Sequence, residues 1–391
     1  MGVTKIEALQ ARFLAQVLAS AELKSPAWKQ AFERVPRHPF VPRIVGCWPP
    51  LAGETDVLFD RDSDPDRWLE LVYSDRLLLI ADDGERQSSS SRPSVMARFL
   101  ELLDIQDGNS VLEIGTGSGY NAAILCEWLG SERVTSIDID GELVEEARRR
   151  LGSCGYRPTL AVADGWDGYP AGSPFDRIQA TCSVPRVPDA WTRQLRPGGV
   201  IVTPLRGGRF DAAGLVALRL RDDGSLVGRL HPKGAAFMPM RRETERSDKP
   251  DRGELRKLLA KMDGEARAAS IPRWLVDESE DSLAPHFFLR LHETEDWEWF
   301  WLRESEAGFK MPAVTASDGS WARIVTRVGT QTDLAVVQGG RRRLWDLIEQ
   351  ANERWLSLGR PDMGRYGITV TVDRRQHLWL DDPNSQHVWE L

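Results

Sequence analysis

Residues 111–120 read Val111-Leu112-Glu113-Ile114-Gly115-Thr116-Gly117-Ser118-Gly119-Tyr120: an apolar strand with an acid near its end, three alternating glycines, then a helix start. Glycines so placed let the backbone turn tightly and approach a bound cofactor with no Cβ in the way. A dinucleotide fingerprint would want its third glycine where Tyr120 stands, and no Gly-Lys-Ser/Thr follows to make a phosphate loop. A cofactor without pyrophosphate fits better. S-adenosyl-L-methionine (SAM) carries an ammonium, a sulfonium, a ribose diol and an adenine, so its site needs acids. Asp138 ends the next strand 23 residues after Gly115, about where a carboxylate accepts from both ribose hydroxyls. Asp164, in Ala163-Asp164-Gly165-Trp166, suits the adenine amino group, with Gly165 allowing close approach. Taken singly, these features read as a tight turn or a helix cap. Their recurrence at successive strand ends favours SAM, with Glu113, Gly115, Thr116, Gly117, Ser118, Asp138, Asp164 and Gly165 as the cofactor set.

The elements that must position these residues alternate between strand and helix. Apolar periodicity predicts a helix through Met96, Phe99, Leu100 and Leu103, a strand at 110–114, a helix at 121–129, a strand at 134–137 and a helix at 143–151. Apolar runs at 159–162, 177–180 and 200–202 add strands, and 216–220 offers a late one. This alternation predicts a mainly parallel sheet covered on both faces. Upstream, Leu9, Phe13, Val17 and Leu18 recur at helical spacing, and the prolines and aspartates of residues 45–70 predict irregular structure. The charged run 241–256 predicts a domain boundary. Beyond it, residues 257–391 hold nine of the 15 tryptophans. Trp297, Trp299 and Trp301 alternate as on a strand with one aromatic face, a helix runs through Leu344, Leu347, Ile348 and Trp355, and a hairpin is predicted over 367–380. The aromatic face suits a core or a bound peptide, and Arg341-Arg342-Arg343 suits a solvated face or an acidic peptide.

The chain is 391 residues long, with 41% hydrophobic and 28% charged residues, enough for a sizeable core and more than one domain. A net charge of -8 argues against a general nucleic-acid binder. No run approaches the roughly 18–20 apolar residues of a membrane span, and the start MGVTKIEALQARF lacks a secretory core, so a cytoplasmic protein is predicted. Cys47, Cys126, Cys154 and Cys182 form no C-x-x-C pair, and no metal site or disulfide framework is predicted.

From about Tyr73 to Pro204 the sequence resembles protein-L-isoaspartate O-methyltransferases. Tyr73-Ser74-Asp75-Arg76 is similar to the family's Tyr-x-Asp segment, and Ser89-Ser90-Ser91-Arg92-Pro93 to its Thr-Ile-Ser-x-Pro loop. Asp164-Gly165, Pro174-Phe175-Asp176 and Leu195-Arg196-Pro197-Gly198-Gly199 match in order. Ser91 falls on the family's active-site serine. The resemblance implies that it orients the acceptor carboxylate, with Ser89, Ser90 and Pro93 on the substrate side. By composition alone, Ser88 to Ser91 would read as a polar loop or helix cap. Two departures bear on substrate choice: Ser89-Ser90 in place of Thr-Ile, and Thr181-Cys182-Ser183-Val184-Pro185 in place of an Ala-rich turn.

The chain continues for about 150 residues past the point where simple repair enzymes of the family end. This tail carries Leu358-Gly359-Arg360-Pro361-Asp362, Arg365-Tyr366-Gly367-Ile368-Thr369-Val370 and Trp379-Leu380-Asp381. It resembles that of variant methyltransferases associated with ribosomally made, modified peptides (RiPPs), most closely those encoded beside ATP-grasp maturases in graspetide systems. The resemblance implies esterification of an aspartate side chain in a macrocyclic ATP-grasp-modified precursor, followed by ring closure to an aspartimide. The alternative is repair of isoaspartyl residues in proteins. The expected fold is α/β: a doubly wound, Rossmann-like class I SAM-dependent methyltransferase sheet over 71–245. A helical N-terminal cap and irregular connection precede it over 1–70, and an α+β accessory domain for peptide recognition follows over 246–391.

Overall fold

Proline opens the second helix of the chain at a position where its missing N–H leaves no bond unmade. This is α2 (Pro26–Arg34), which follows α1 (Val3–Ser20); Phe13 and Val17 of α1 pack with Trp28, Ala31 and Phe32 of α2 in one buried cluster. The computed structural model describes residues 3–20, 23–48, 58–82, 87–205, 212–242, 252–269, 272–275, 283–292, 297–303, 310–326 and 334–391. Short strands β1 (Arg43–Ile44), β2 (Gly46–Trp48) and β3 (Phe59–Asp60) lead to α3 (Pro65–Val72). Irregular structure was predicted across this stretch, and α3 corrects that. Asp64 caps the helix by accepting from the Arg67 N–H at 3.0 Å, Pro65 fills the first turn, and Trp68, Leu69, Leu71 and Val72 turn inward. The same Asp and Pro that suggest a loop here mark a helix start. Residues 49–57 of the predicted connection lie outside the described residues.

Next, β4 (Leu77–Asp82) and β5 (Gln87–Ser90) form a three-stranded antiparallel sheet with β2, and β5 runs into the largely buried α4 (Pro93–Leu102). The predicted alternation then follows. It comprises β6 (Val111–Ile114), α5 (Tyr120–Leu129), β7 (Val134–Asp138), α6 (Gly141–Ser153), β8 (Thr159–Val162), β9 (Phe175–Ala180), α7 (Asp189–Arg193) and β10 (Leu195–Leu205). Strands β8, β7, β6, β9 and β10 lie in that order and are all parallel. All of β6 is buried, as expected of a strand covered on both faces. Helices α1, α2, α4, α5 and α6 supply one face, and Val184, Val187 and Trp191 lie on the other. The chain winds outward from β6 through β7 to β8, then crosses back to β9 on the other side of β6. That reversal leaves a crevice at the carboxyl ends of the strands. Antiparallel β11 (Ala212–Leu220), which includes the predicted late strand, and β12 (Leu226–Leu230) extend the sheet, and the short β13 (Ala235–Ala236) pairs with β11.

Of the predicted boundary, residues 243–251 lie outside the described residues. The region beyond contains α8 (Arg252–Lys261), β14 (Arg267–Ala268), α9 (Leu283–Arg290), β15 (Trp297–Arg303), β16 (Lys310–Ala316), β17 (Trp321–Thr326), β18 (Leu334–Gly339) and α10 (Leu344–Ser357). Its strands make a separate antiparallel sheet in the order β14-β18-β17-β16-β15. Trp297 and Trp299 do share one face of β15, but that face is core, packed with Trp345 and Ile348 of α10. Phe300 and Leu302 on the opposite face cluster with Leu259 of α8. The arginine run is internally engaged: Arg342 pairs with Asp318 at 2.9 Å, and Arg343 donates to the Gln338 carbonyl. Helix α9 faces both units, with Phe287 and Phe288 in the core of the large sheet and Leu289 in that of the smaller one.

The predicted hairpin forms as β19 (Tyr366–Val370) and β20 (Gln376–Leu380), followed by β21 (Val388–Glu390), but it does not belong to the accessory sheet. It completes the large one in the order β12-β19-β20-β21, with Arg229 opposite Gly367 and Leu226 opposite Val370. A division at residue 246 therefore separates strands that share a sheet. Strand β12 would otherwise be an exposed edge, and Tyr366, Ile368 and Val370 cover it with side chains that join Leu226 and Leu230 in one cluster. A Cβ at Gly367 would lie 2.1 Å from the Trp379 ring, so glycine is what lets the indole cross the strand.

Ile368→Ala is expected to lower the unfolding free energy by about 2–5 kcal/mol, as for a buried core residue. Val388→Ala, at an exposed position of β21, should change it by no more than about 0.5 kcal/mol. Urea unfolding of both variants checks this; equal small effects would mean that the tail is not part of the core.

Candidate active site

A cleft of about 320 Å³ opens at the carboxyl ends of the parallel strands, and the loops after four of them contribute. The turn after β6 brings Gly115 to Ser118, β7 brings Asp138 and Ile139, β8 brings Ala163 and Gly165, and β9 brings Thr181 and Cys182. The glycine turn demands its residue types. Gly115 has φ +98°, and a Cβ there would meet Thr181 Oγ1 at 2.4 Å. The Thr181 hydroxyl donates to the Gly115 carbonyl at 2.9 Å, fastening the β9 loop to the turn.

Glu113 is fully buried beneath this turn. The Ser136 hydroxyl donates to one carboxyl oxygen at 2.5 Å and the Asn121 amide to the other at 2.6 Å. Burial dominates those bonds and pushes the carboxyl up to about 7 from 4.5. Thr116 joins the network through Ser136 at 2.7 Å. Asp138 accepts from the Gly117 N–H at 3.0 Å and the Asp140 N–H at 3.1 Å, while burial raises its pKa. Ser118 accepts from the Tyr120 N–H at the start of α5. Beside the cleft, Asn121 Oδ1 and Gln179 Nε2 are buried with no partner among the described residues. Two carboxylates, an unpaired amide oxygen and a side-chain-free turn suit a cationic cofactor bearing a diol. The volume is at the small end of the roughly 300–1,000 Å³ usual for such sites.

Opposite the glycine turn, Ser88, Ser89, Ser90 and Ser91 all line the cleft. A Cβ at Gly117 would lie 3.6 Å from both Ser88 Oγ and the Ser89 carbonyl, so the serine strand passes directly over the turn. What holds it there is Arg37, a residue that sequence reasoning missed. Its wholly buried guanidinium donates to the Ser90 hydroxyl and to the carbonyls of Val72, Ser74, Arg76, Ser90 and Ser91, at 3.0–3.2 Å. Burial lowers its pKa to about 10, still far above neutrality, so it stays charged. Asp75, in the Tyr-x-Asp segment, accepts from Arg92 at 2.9 Å and from the Ser94 N–H at 2.8 Å, bracketing Pro93.

The predicted residues divide accordingly. Glu113, Gly115, Thr116, Gly117, Ser118, Asp138, Gly165 and the serines converge on one cleft. Asp164 is not among its lining residues, because the carboxylate turns to accept from the Trp166 N–H at 2.9 Å. Pro93 does not line it either; it starts α4 and is buried. The Ser90 hydroxyl oxygen accepts from Arg37, at 3.2 Å and 3.0 Å. The structure adds a wall that the sequence did not announce, Met238 to Arg241. It is zipped to the β9 loop by the Ser183 N–H to the Met238 carbonyl and the Met240 N–H to the Ser183 carbonyl, each at 2.9 Å. The short polar side chain of Ser136, in the centre of β7, is a hint of the Glu113 network.

A carboxyl whose folded pKa exceeds its unfolded value binds more proton in the fold. The stability linked to Glu113 therefore falls as pH rises from 4.5 to about 7 and is flat above. Across that interval Glu113→Gln should gain on the wild type by about 3 kcal/mol, read by urea unfolding at stepped pH; parallel curves would show that Glu113 titrates normally. Arg37→Met leaves buried carbonyls unpaired and is expected to cost about 3–5 kcal/mol, with methyl transfer falling alongside; unchanged unfolding would remove Arg37 from its organising place.

Comparison with known proteins meets this geometry. The family model for protein-L-isoaspartate(D-aspartate) O-methyltransferase matches residues 59–244. A protein-L-isoaspartate O-methyltransferase of Methanothermobacter thermautotrophicus is 32% identical over 231 residues, 59% of this chain and 93% of its own length. One of Thermotoga maritima is 40% identical over 139 residues, 35% of this chain and 44% of the relative. A solved protein-L-isoaspartate O-methyltransferase matches 95% of this chain and all of its own with TM-score 0.53 at 22% identity, a likeness of fold. Among the described residues no helix is long and apolar enough to cross a membrane. A class I methyltransferase sheet, a glycine turn over a buried acid and a relative matched over nearly its whole length lead to one conclusion. The chain belongs to the protein-L-isoaspartate O-methyltransferase family, as a SAM-dependent carboxyl methyltransferase.

Proposed function

We propose that the cleft binds SAM and that the enzyme methylates the free carboxylate of an L-isoaspartyl residue in a peptide chain, the first step of isoaspartyl repair. The observation that carries this reading is the passage of the serine strand over the glycine turn, which gives acceptor and cofactor one shared cleft. The acceptor named for the relatives supports isoaspartate. Asp138 would accept from the ribose hydroxyls, and Glu113 with Asn121 would set the potential beneath the turn. Asp164 would hold the adenine amino group through its second carboxyl oxygen while the first keeps the Trp166 N–H, with Ala163 and Gly165 beside it.

When bound, SAM supplies an electrophilic methyl group that ends on the acceptor as an ester. A carboxylate is already ionised at neutral pH, so the chain needs no strong general base. Its work is alignment: Ser91, fixed through its carbonyl by Arg37, orients the acceptor carboxylate, and Met96, Met238 and Met240 exclude water. Neither Cys182 nor any serine is asked to act as a nucleophile. Burial raises the Cys182 thiol to about 12, so it stays protonated.

A second reading rests on the long C-terminal extension and on the tail motif's resemblance to graspetide-associated enzymes. In it the acceptor is an aspartate side chain of a ribosomally made, ATP-grasp-modified peptide. The ester is then attacked by the following backbone nitrogen, methanol leaves and an aspartimide remains. The accessory domain would select that peptide. Of its tryptophan face, Trp297 and Trp299 are core.

Mass spectrometry of the enzyme with SAM and two acceptors separates these readings: isoaspartyl peptides of unrelated sequence, and a macrocyclic ATP-grasp-modified peptide containing aspartate. One added methyl group on many isoaspartyl peptides is the expected result. Methylation of the macrocycle alone, with methanol loss to a species one water lighter than the start, would replace the first reading with the second.

A further inference from the structure

The C-terminal hairpin reaches the loop that leads from the cleft with a buried side chain, Gln376. Gln376, the first residue of β20, is 3% exposed. Its amide makes a two-bond pairing with the backbone of Val187: the Val187 N–H donates to Gln376 Oε1 at 2.9 Å, and Gln376 Nε2 donates to the Val187 carbonyl at 2.7 Å. A side chain here does what a neighbouring strand would do. The Gln376 carbonyl is itself held by the Leu391 N–H at 3.0 Å, so the clamp is braced by the last residue of the sequence.

Val187 lies in the loop from β9 to α7, whose start forms the cleft. Thr181 and Cys182 line it, and the Thr181 hydroxyl is fastened to Gly115. Ser183 holds the Met238 to Met240 wall, and the Val184 N–H donates to the Pro204 carbonyl. Beyond Val187, Trp191 reaches back with its indole N–H to the Gly165 carbonyl at 2.7 Å. Between Val184 and Trp191 the Gln376 amide is a fastening that comes from outside the 71–245 segment. It sits midway between two points where the loop touches the cofactor cleft.

We infer that Gln376 is a positioning residue for cofactor binding: by pairing with Val187 it holds the Thr181–Trp191 loop in the shape that forms the cleft floor and wall. The C-terminal extension thus acts on the site through the sheet it completes. This rests on the cleft being the SAM site, and the test separates the two claims.

Gln376→Met keeps the length and apolar bulk of the side chain and deletes both bonds; Gln376→Glu keeps the acceptor for the Val187 N–H and sets a carboxylate against the carbonyl. SAM titrated calorimetrically into the full chain should bind the wild type, and about tenfold more weakly the Met variant. The Glu variant should show a loss as well. Amide hydrogen exchange should quicken over residues 183–191 while β6 and β9 stay protected. Unchanged SAM affinity in Gln376→Met, whatever its thermal midpoint, would overturn the inference. If that variant does not fold, unchanged affinity in Gln376→Glu overturns it equally. A wild type that binds no SAM would instead sink the reading of the cleft.

Discussion

A guanidinium shut away from bulk solvent organises the serine side of the cleft. Arg37 is buried completely, and in place of hydration it has six oxygens, five of them main-chain carbonyls from two separate segments. A charge so buried is tolerable only while its donors are satisfied. The segments at 72–76 and 90–91 therefore cannot drift apart without exposing a cation to an apolar surround. That constraint fixes the serine strand over the glycine turn, and the nearby Asp75 to Arg92 and Ser94 contacts fix the start of α4. The serine side of the cleft is thus held by a residue that does not itself line it.

The cofactor side follows a different logic. Its polar groups are local to strand ends: Glu113 and Ser136 sit on adjacent parallel strands in register, and Asp138 folds back to the Gly117 N–H. Burial raises the pKa of both acids, so the site holds carboxyl groups whose charge is costly until a cation arrives. A sulfonium and an ammonium would offset that cost together.

These two halves were unequally legible in the sequence. The turn at 115–119 could be read because three alternating glycines after an apolar strand leave few alternatives, and Asp138 because its spacing follows from one strand and helix. Arg37 could not be read, since main-chain carbonyls 35 and more residues away leave no side-chain pattern. Asp64 and Pro65 misled because a helix start and a loop use the same residues. The final strands were recognised as a hairpin from their own alternation, but the pairing of Gly367 with Arg229 is non-local, and periodicity does not report which sheet a strand joins. Asp164 stands at the end of β8, where its carboxylate also accepts a backbone N–H two residues on, a bond that no side-chain pattern announces.

Strands β12 and β19 are antiparallel neighbours, so the chain leaves the large sheet and re-enters it at adjoining places. Topologically the accessory unit is one very long hairpin loop. The entropic cost of closing such a loop grows only with the logarithm of its length, about 0.6 kcal/mol for each doubling. Lineages could therefore enlarge or replace much of this unit with little penalty to the sheet, provided that the stretch through Met238–Arg241, Phe287 and Phe288 in the large sheet's core, and the returning β19 keep their places. The arrangement separates what must stay constant for methyl transfer from what is free to diversify, and it makes the unit a natural graft point for changing the company the enzyme keeps.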